Sequence, residues 1–262
     1  MFFQQQKYQI SVRYFIEFSY NGTDYHGWQV QPNAVTVQSV LDNALTVLLK
    51  IPINTMGAGR TDTGVHATKM VAHFDYDPVI DAVDLVYKLN SFLPKTIAVH
   101  NIRSVKADAH ARFDATQRTY YYKIATSKDV FSYDTAFYYT KNLDLNLMNK
   151  ASNILLDYSD FKCFSRAHSD VKTHICTIYE AHWSKNESEL IFKISADRFL
   201  RNMVRAIVGT LLDVGNHKIS LSELHKIIQS KDRSNAGASA PAKGLYLSEI
   251  VYPDSVYDGK KK

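Results

Sequence analysis

The chain has 262 residues, 45% of them apolar and 22% charged, with only two cysteines. That balance describes an ordinary globular chain of one or two domains and excludes a disordered, collagen-like or disulfide-stapled protein. No apolar run approaches the roughly 20 residues of a membrane helix, and a net charge of +5 favours an anionic partner. Met1–Lys7 lacks the apolar centre of a signal peptide, and two cysteines suit a reducing compartment, so the expected location is cytoplasmic.

In chain order, Val12 to Tyr20 alternates as a strand and Asn21-Gly22 marks a turn. Thr36 caps a helix whose apolar positions Val37, Val40, Leu41, Ala44, Leu45 and Leu48 follow the 3.6-residue period. Ile51–Met56 alternates with the period of a strand, and a further strand covers Val71 to Phe74. A helix from about Asp81 stops before Pro94, and Ile97 to Ile102 is extended. The second half opens with a strand, Thr119 to Ile124, followed by a helix near Leu143–Leu156 and strands Ile175–Trp183 and Leu190–Ala196. A long helix from Phe199 to Val214 is closed by Gly215; Ser220 and Glu223 form a capping box for a helix ending near Ser230. Leu245 to Tyr252 supplies a last strand. Strands and helices mixed in this way predict an α+β fold, with helices packed on antiparallel sheet.

The most informative stretch is Gly57-Ala58-Gly59-Arg60-Thr61-Asp62-Thr63-Gly64-Val65-His66. Its glycines permit positive φ and close approach of other chain segments. Asp62 therefore sits on a tight, accessible loop, with Arg60 close by to hold it charged, an arrangement that suits a carboxylate nucleophile or general base. A dinucleotide fingerprint is excluded because Asp62 occupies the position of its third glycine, and a phosphate-cradling loop would not carry a central carboxylate. A polar turn with local backbone bonds is the plain structural alternative.

Two other segments carry chemistry. Arg112-Phe113 through Arg118-Thr119-Tyr120-Tyr121-Tyr122-Lys123 places cations and rings along a strand, as nucleic-acid surfaces do. Strand alternation puts Tyr120 and Tyr122 on one face and Tyr121 on the other, and core tyrosines with bonded hydroxyls are the alternative there, the one expected for Tyr121. Arg198, Arg201 and Arg205 share a helical stripe opposite Leu200, Val204, Ile207, Val208 and Leu211, either a solvated edge or cations offered to a carboxylate or phosphate. Cys163, His168, His174 and Cys176 lack the close cysteine pair of structural zinc sites, so a buried thiol with surface histidines is expected and no metal.

Taken together, these segments resemble the tRNA pseudouridine synthase A (TruA) family. The resemblance takes in Tyr20-Asn21-Gly22 with Gly27-Trp28-Gln29, the Gly57–Ala67 loop, Leu89-Asn90 with Leu93-Pro94, Arg112-Phe113 with Arg118-Thr119-Tyr120, Asp160-Phe161 with Phe164, Phe199–Arg205, and Ala240-Pro241 with Gly244-Leu245. Thr63 stands where alanine is usual, and Arg198 where glycine is common. The resemblance implies a pseudouridine synthase fold of two pseudo-symmetric α/β halves on a central, mainly antiparallel sheet. The halves would span 8–106 and 107–254, with a basic tail over 255–262.

The resemblance further implies isomerisation of uridine to pseudouridine at positions 38, 39 and 40 of the tRNA anticodon stem-loop, with no cofactor, nucleotide or metal. Asp62 matches the nucleophile. Tyr120 matches the aromatic that stacks on uracil and takes part in proton transfer. Arg205 would pair with Asp62, and Arg60 would fill the space of the flipped uridine. Leu245 would line the uracil pocket, with Arg112, Arg118 and Arg201 as further substrate contacts. Family members are homodimers. A non-catalytic tRNA-binding or folding factor could use the same basic cleft but has no need of Asp62; a carboxylate-based N-glycosylase would release free uracil.

Overall fold

In the computed structural model, which describes residues 11–77, 79–166 and 171–257, nine strands form one sheet. His168, Met1–Lys7 and the lysines of the tail, Lys260–Lys262, lie outside the described residues. The elements in order are β1 (Val12–Tyr20), α1 (Val37–Leu49), β2 (Met56–Gly57), β3 (His66–Tyr76), α2 (Ala82–Phe92), β4 (Ile97–Val105), β5 (Gln117–Ala125), β6 (Phe137–Tyr138), α3 (Leu145–Ile154), β7 (Ile178–Lys185), β8 (Glu189–Ala196), α4 (Met203–Gly215), α5 (Leu221–Ser230) and β9 (Leu245–Val251). The sheet order is β4-β1-β3-β9-β5-β8-β7, with β2 on β3 and β6 on β5. Pairing is antiparallel except for β3–β9 and β5–β6. The α+β reading therefore holds, as a single mainly antiparallel sheet.

Local chemistry explains most of the elements. Thr36 accepts from the Ser39 N–H at 3.2 Å while the Ser39 hydroxyl accepts from the Thr36 N–H at 3.1 Å, a reciprocal cap for α1. Ser220 and Glu223 do the same for α5. Asp81 caps α2, and Asn90 then ties that helix to β4 by exchanging hydrogen bonds with the backbone of Val99. Along β1, Tyr14, Ile16, Phe18 and Tyr20 are buried, while Arg13, Glu17 and Ser19 on the opposite face stay partly exposed.

The apolar side chains form two clusters. One gathers Ile16, Phe18, Leu41, Leu45, Met70, Phe74 and Leu89. The other gathers Tyr122, Ile124, Met148, Phe161, Phe164, Phe192, Ile207 and Leu211. Each large side chain removed from water contributes about 1.5–3 kcal/mol. At the β3–β9 junction the membership crosses over: Val65 lies in the second cluster and Leu247 in the first, while Tyr120 packs against both.

Three sequence expectations are corrected. The alternating run Ile51–Met56 is not a strand; only Met56–Gly57 pairs. Pro52 has no N–H, and the Ile53 and Thr55 N–H groups donate to side chains of α1, Thr46 and Asp42, at 3.0 Å each. The period of two survives as alternating burial without a ladder. The helix expected from Phe199 begins at Met203, after Asn202 in the left-handed region at φ 66°, so the three arginines do not form a helical stripe. Gly215 is the last helical residue rather than a left-handed cap. A β-carbon there would meet the Met148 sulfur at 2.5 Å, so the glycine lets α4 lie close on α3.

Burial neutralises a histidine and raises a carboxyl in this first half of the chain. His73 accepts the Ala111 N–H on Nδ1 at 3.1 Å, and burial first, then the neighbouring charge of His110, pushes it down to about 4. Asp42 works in the opposite direction, since burial raises its carboxyl to about 6. For His73 the unfolded chain binds the extra proton below about pH 6.5, so its stabilisation is full above that pH and is lost as pH falls toward about 4. His73→Gln, which keeps an acceptor but does not titrate, is expected to flatten the stability curve over this window. The difference from wild type should reach a slope of about 1.4 kcal/mol per pH unit, read from urea unfolding at pH 7, 6 and 5.

Candidate active site

The loop carrying Asp62 runs from β2 to β3 and is fastened by the segment that follows β1. The Tyr20 hydroxyl meets the Thr61 hydroxyl at 2.8 Å in a buried position, the Trp28 N–H donates to the Thr61 carbonyl at 3.2 Å, and the Gly64 N–H donates to the Tyr25 carbonyl at 3.3 Å. Contact is so close that side chains are excluded. A β-carbon on Gly22 would lie 2.0 Å from the Val65 oxygen; one on Gly27, itself at φ 85°, would lie 2.5 Å from the Thr61 oxygen. Within the loop only Gly64, at φ 75°, uses the left-handed region. Gly57 is there because Trp28 fills the space of its β-carbon.

The Asp62 side chain is 27% exposed, and its carboxylate reaches across to the second half of the chain. Arg205 Nη1 lies 3.4 Å from Oδ2, and Arg201 Nε lies 3.7 Å from Oδ1. Arg205 is in the first turn of α4, and its Nε donates to the Ala240 carbonyl at 2.7 Å, which fixes the guanidinium plane before it meets the carboxylate. Ala240 returns a backbone bond to the Arg205 carbonyl at 2.9 Å. Arg60 is exposed and forms no ion pair with Asp62 among the described residues; the cations beside the carboxylate are Arg205 and Arg201, not the sequence neighbour.

Tyr120 stands edge-on to Phe199, with centroids 5.1 Å apart and planes at 88°. Burial pushes its hydroxyl up to about 12; the Arg118 cation opposes that shift and the Asp62 charge adds to it. The phenol is therefore a neutral hydroxyl within the electrostatic reach of both groups. The bonded core tyrosine of this strand is Tyr122, fully buried and donating to the Pro241 carbonyl at 2.8 Å, and not Tyr121, for which that place was expected and which is half-buried. Leu245 is buried at the start of β9, opposite Tyr122 in register.

The remaining predicted residues separate into two groups. Arg112 is exposed, and burial together with the charges of Arg60 and Arg198 lowers it from the usual arginine value, which puts the three cations near one another. Arg118 instead turns inward. Its two terminal nitrogens donate to the carbonyls of Ala115 at 2.6 Å, Asp197 at 2.9 Å and Ala58 at 3.2 Å, and to that of Arg112. It ties the root of the Asp62 loop to β5 and to the segment after β8, leaving little donor capacity for a ligand. Cys163 and Cys176 are buried, with thiols pushed up to about 12 by burial, and act as small apolar side chains.

Sequence reasoning missed three groups that build the site. Tyr20 and Thr61 hold the loop, but nothing in their spacing announces a shared hydrogen bond. Ala240 contributes only its backbone. His66 accepts the Gly22 N–H on Nδ1 at 3.1 Å, so Nε2 carries the proton and donates to the Lys243 carbonyl at 3.1 Å. Its ring stacks on Tyr246 at 4.7 Å.

The structure separates the two uses of arginine, and stability measurements will show it. Arg118→Lys is expected to lower unfolding free energy by about 2–5 kcal/mol, because several charge-assisted bonds to buried carbonyls are lost. The salt dependence of RNA binding should be unchanged in this variant; a shallower slope would place Arg118 on phosphate instead.

A model of the family described as tRNA pseudouridine synthase matches residues 17–114 and 155–253. Among curated proteins, tRNA pseudouridine synthase A of Bacteroides thetaiotaomicron is 50% identical over 253 residues, covering 95% of this chain and 94% of the relative. The protein of the same name from Parabacteroides distasonis is 49% identical over 246 residues, 94% and 98% of the two chains. That of a Thermoanaerobacter species is 43% identical over 241 residues, 90% and 98%. With the family model matching most of the chain, the Asp62 loop, α4 and β9 included, and a relative half identical over nearly its whole length, the chain belongs to the tRNA pseudouridine synthase family.

Proposed function

We propose that this protein isomerises uridine to pseudouridine in the anticodon stem-loop of tRNA, at positions 38, 39 and 40. The observation that carries the reading is the Asp62 carboxylate, partly exposed and paired with a guanidinium that is itself fixed to a backbone carbonyl. In the reaction the C1′–N1 bond breaks, the uracil turns, and a C5–C1′ bond forms. The proton leaves C5 and N1 ends protonated, so product and substrate have the same composition and no redox partner is consumed. Asp62 is the nucleophile that splits this exchange into two steps through a covalent adduct.

In this reading Arg205 orients the carboxylate. Tyr120 stacks on the uracil; with its hydroxyl held neutral, it moves the C5 proton as a hydrogen-bonding relay rather than as a resident phenolate. Leu245 forms part of the apolar wall behind Tyr122 and the uracil. Arg60 enters the stack as the uridine flips, an exchange whose cost of a few kcal/mol is offset by aromatic stacking and phosphate contacts. Arg112 and Arg201 meet the RNA backbone from the rim. We also assign the halves to residues 8–106 and 107–254, a homodimeric assembly, and a cytoplasmic location where tRNA is processed.

The test uses tRNA labelled with tritium at uridine C5. Wild type is expected to release label to water without freeing uracil. Asp62→Asn should reduce release by at least about a thousandfold. Its affinity for tRNA should stay within several-fold of wild type. Turnover retained by this variant removes Asp62 from the chemistry, and free uracil in place of pseudouridine makes the protein a glycosylase.

A further inference from the structure

Phe113 is 74% exposed, yet its ring is held in place. It rests on the His110 ring, with centroids 4.2 Å apart and planes at 35°, and the Arg112 guanidinium carbon lies 5.7 Å from its centre. His110 is fixed in turn. Its N–H donates to Asp114 Oδ2 at 2.7 Å, its Nδ1 accepts the N–H groups of Arg112 at 3.1 Å and Phe113 at 3.3 Å, and its ring abuts buried His73 at 4.6 Å. A single exposed phenylalanine is ordinary. One mounted on a hydrogen-bonded turn, with its rotamer supported from below, has already met the ordering cost that binding would impose.

The turn also stands at the reacting end of the molecule. The Arg118 guanidinium donates to the carbonyls of both Arg112 and Ala58, which places the turn against the root of the Asp62 loop. Arg112, in the turn itself, lies near Arg60 and Arg198: burial first, then the charges of those two arginines, lowers its guanidinium from the usual value. Covering three guanidinium groups that form no ion pair among the described residues with an apolar protein surface would be costly. A polyanion bearing flat rings satisfies the cations and the phenyl face together, the combination by which single-stranded RNA is held.

We propose that Phe113 is a stacking platform for an unpaired nucleobase flanking the uridine that reacts, with His110 as the residue that positions it. The proposal rests on the reading of this chain as an enzyme acting on tRNA. Phe113→Ala is expected to weaken tRNA binding roughly 5- to 100-fold, the range seen when one base loses its aromatic partner. The single-turnover rate at saturating tRNA should change little, and thermal unfolding should match wild type because the ring is exposed. Phe113→Trp should keep affinity. Its added indole fluorescence, corrected with wild type, should be quenched by an RNA hairpin with an unpaired loop and not by a fully paired duplex of equal length. Unchanged tRNA affinity in Phe113→Ala overturns the proposal, as does a change of oligomeric state in that variant or equal quenching by the duplex. If wild type binds tRNA with this pattern but forms no pseudouridine, the assigned reaction fails while the platform stands.

Discussion

Everything at the site depends on the parallel junction of β3 with β9. Asp62 precedes β3, whereas Tyr120, Arg201 and Arg205 belong to the other half of the chain, so carboxylate and cations share a space only because this junction holds its register. The ladder itself is short, with His66 opposite Tyr246 and Ala67 opposite Leu247. His66 reinforces it by bridging the Gly22 N–H and the Lys243 carbonyl. Burial keeps that imidazole neutral, and a second proton on it would set donor against donor at Gly22. Apolar packing completes the joint, with Val65 and Leu247 each buried among side chains of the opposite cluster.

The Asp62 loop illustrates how a short polar turn is made rigid without secondary structure. Its fastening relies on backbone groups and on the absence of side chains at Gly22 and Gly27, together with the buried pair of hydroxyls from Tyr20 and Thr61. Such a frame leaves the carboxylate as the free part of the turn. Arg205 is treated in the same way, with one nitrogen committed to Ala240 and the other directed at Asp62. Both partners of the ion pair thus arrive already oriented, and little reorganisation remains for substrate binding to drive.

Much of this was legible in the residues. Period located β1, and capping signals located α1, α2 and α5 closely, because each of these helices has a local cause: Thr36 with Ser39, Asp81, and Ser220 with Glu223. Where tertiary partners outweigh local pattern, the reading went astray. Ile51–Met56 has a strand's alternation, but its donors are taken by Thr46 and Asp42. Phe199–Asn202 has a helix's apolar spacing, but the chain turns at Asn202 before α4 begins. At the site, Asp62 and Arg205 stood out by residue type and by resemblance. The inward turn of Arg118 did not, since one arginine looks like another until the carbonyls around it are known.

The position of β9 has a consequence for how the molecule is made. It is the last of the strands in the chain and yet lies at the centre of the sheet, between β3 and β5. On a ribosome, which delivers the chain from its first residue onward, β3 and β5 each present an unsatisfied edge until Val251 has emerged. From the emergence of β5 until Val251 is made, the nascent polypeptide carries an open slot between β3 and β5, a state in which exposed edges invite pairing with other chains. Closure by a distant segment makes productive folding a late, all-at-once event governed by long-range contacts. Catalytic competence is accordingly withheld from every truncated product that stops short of the final strand.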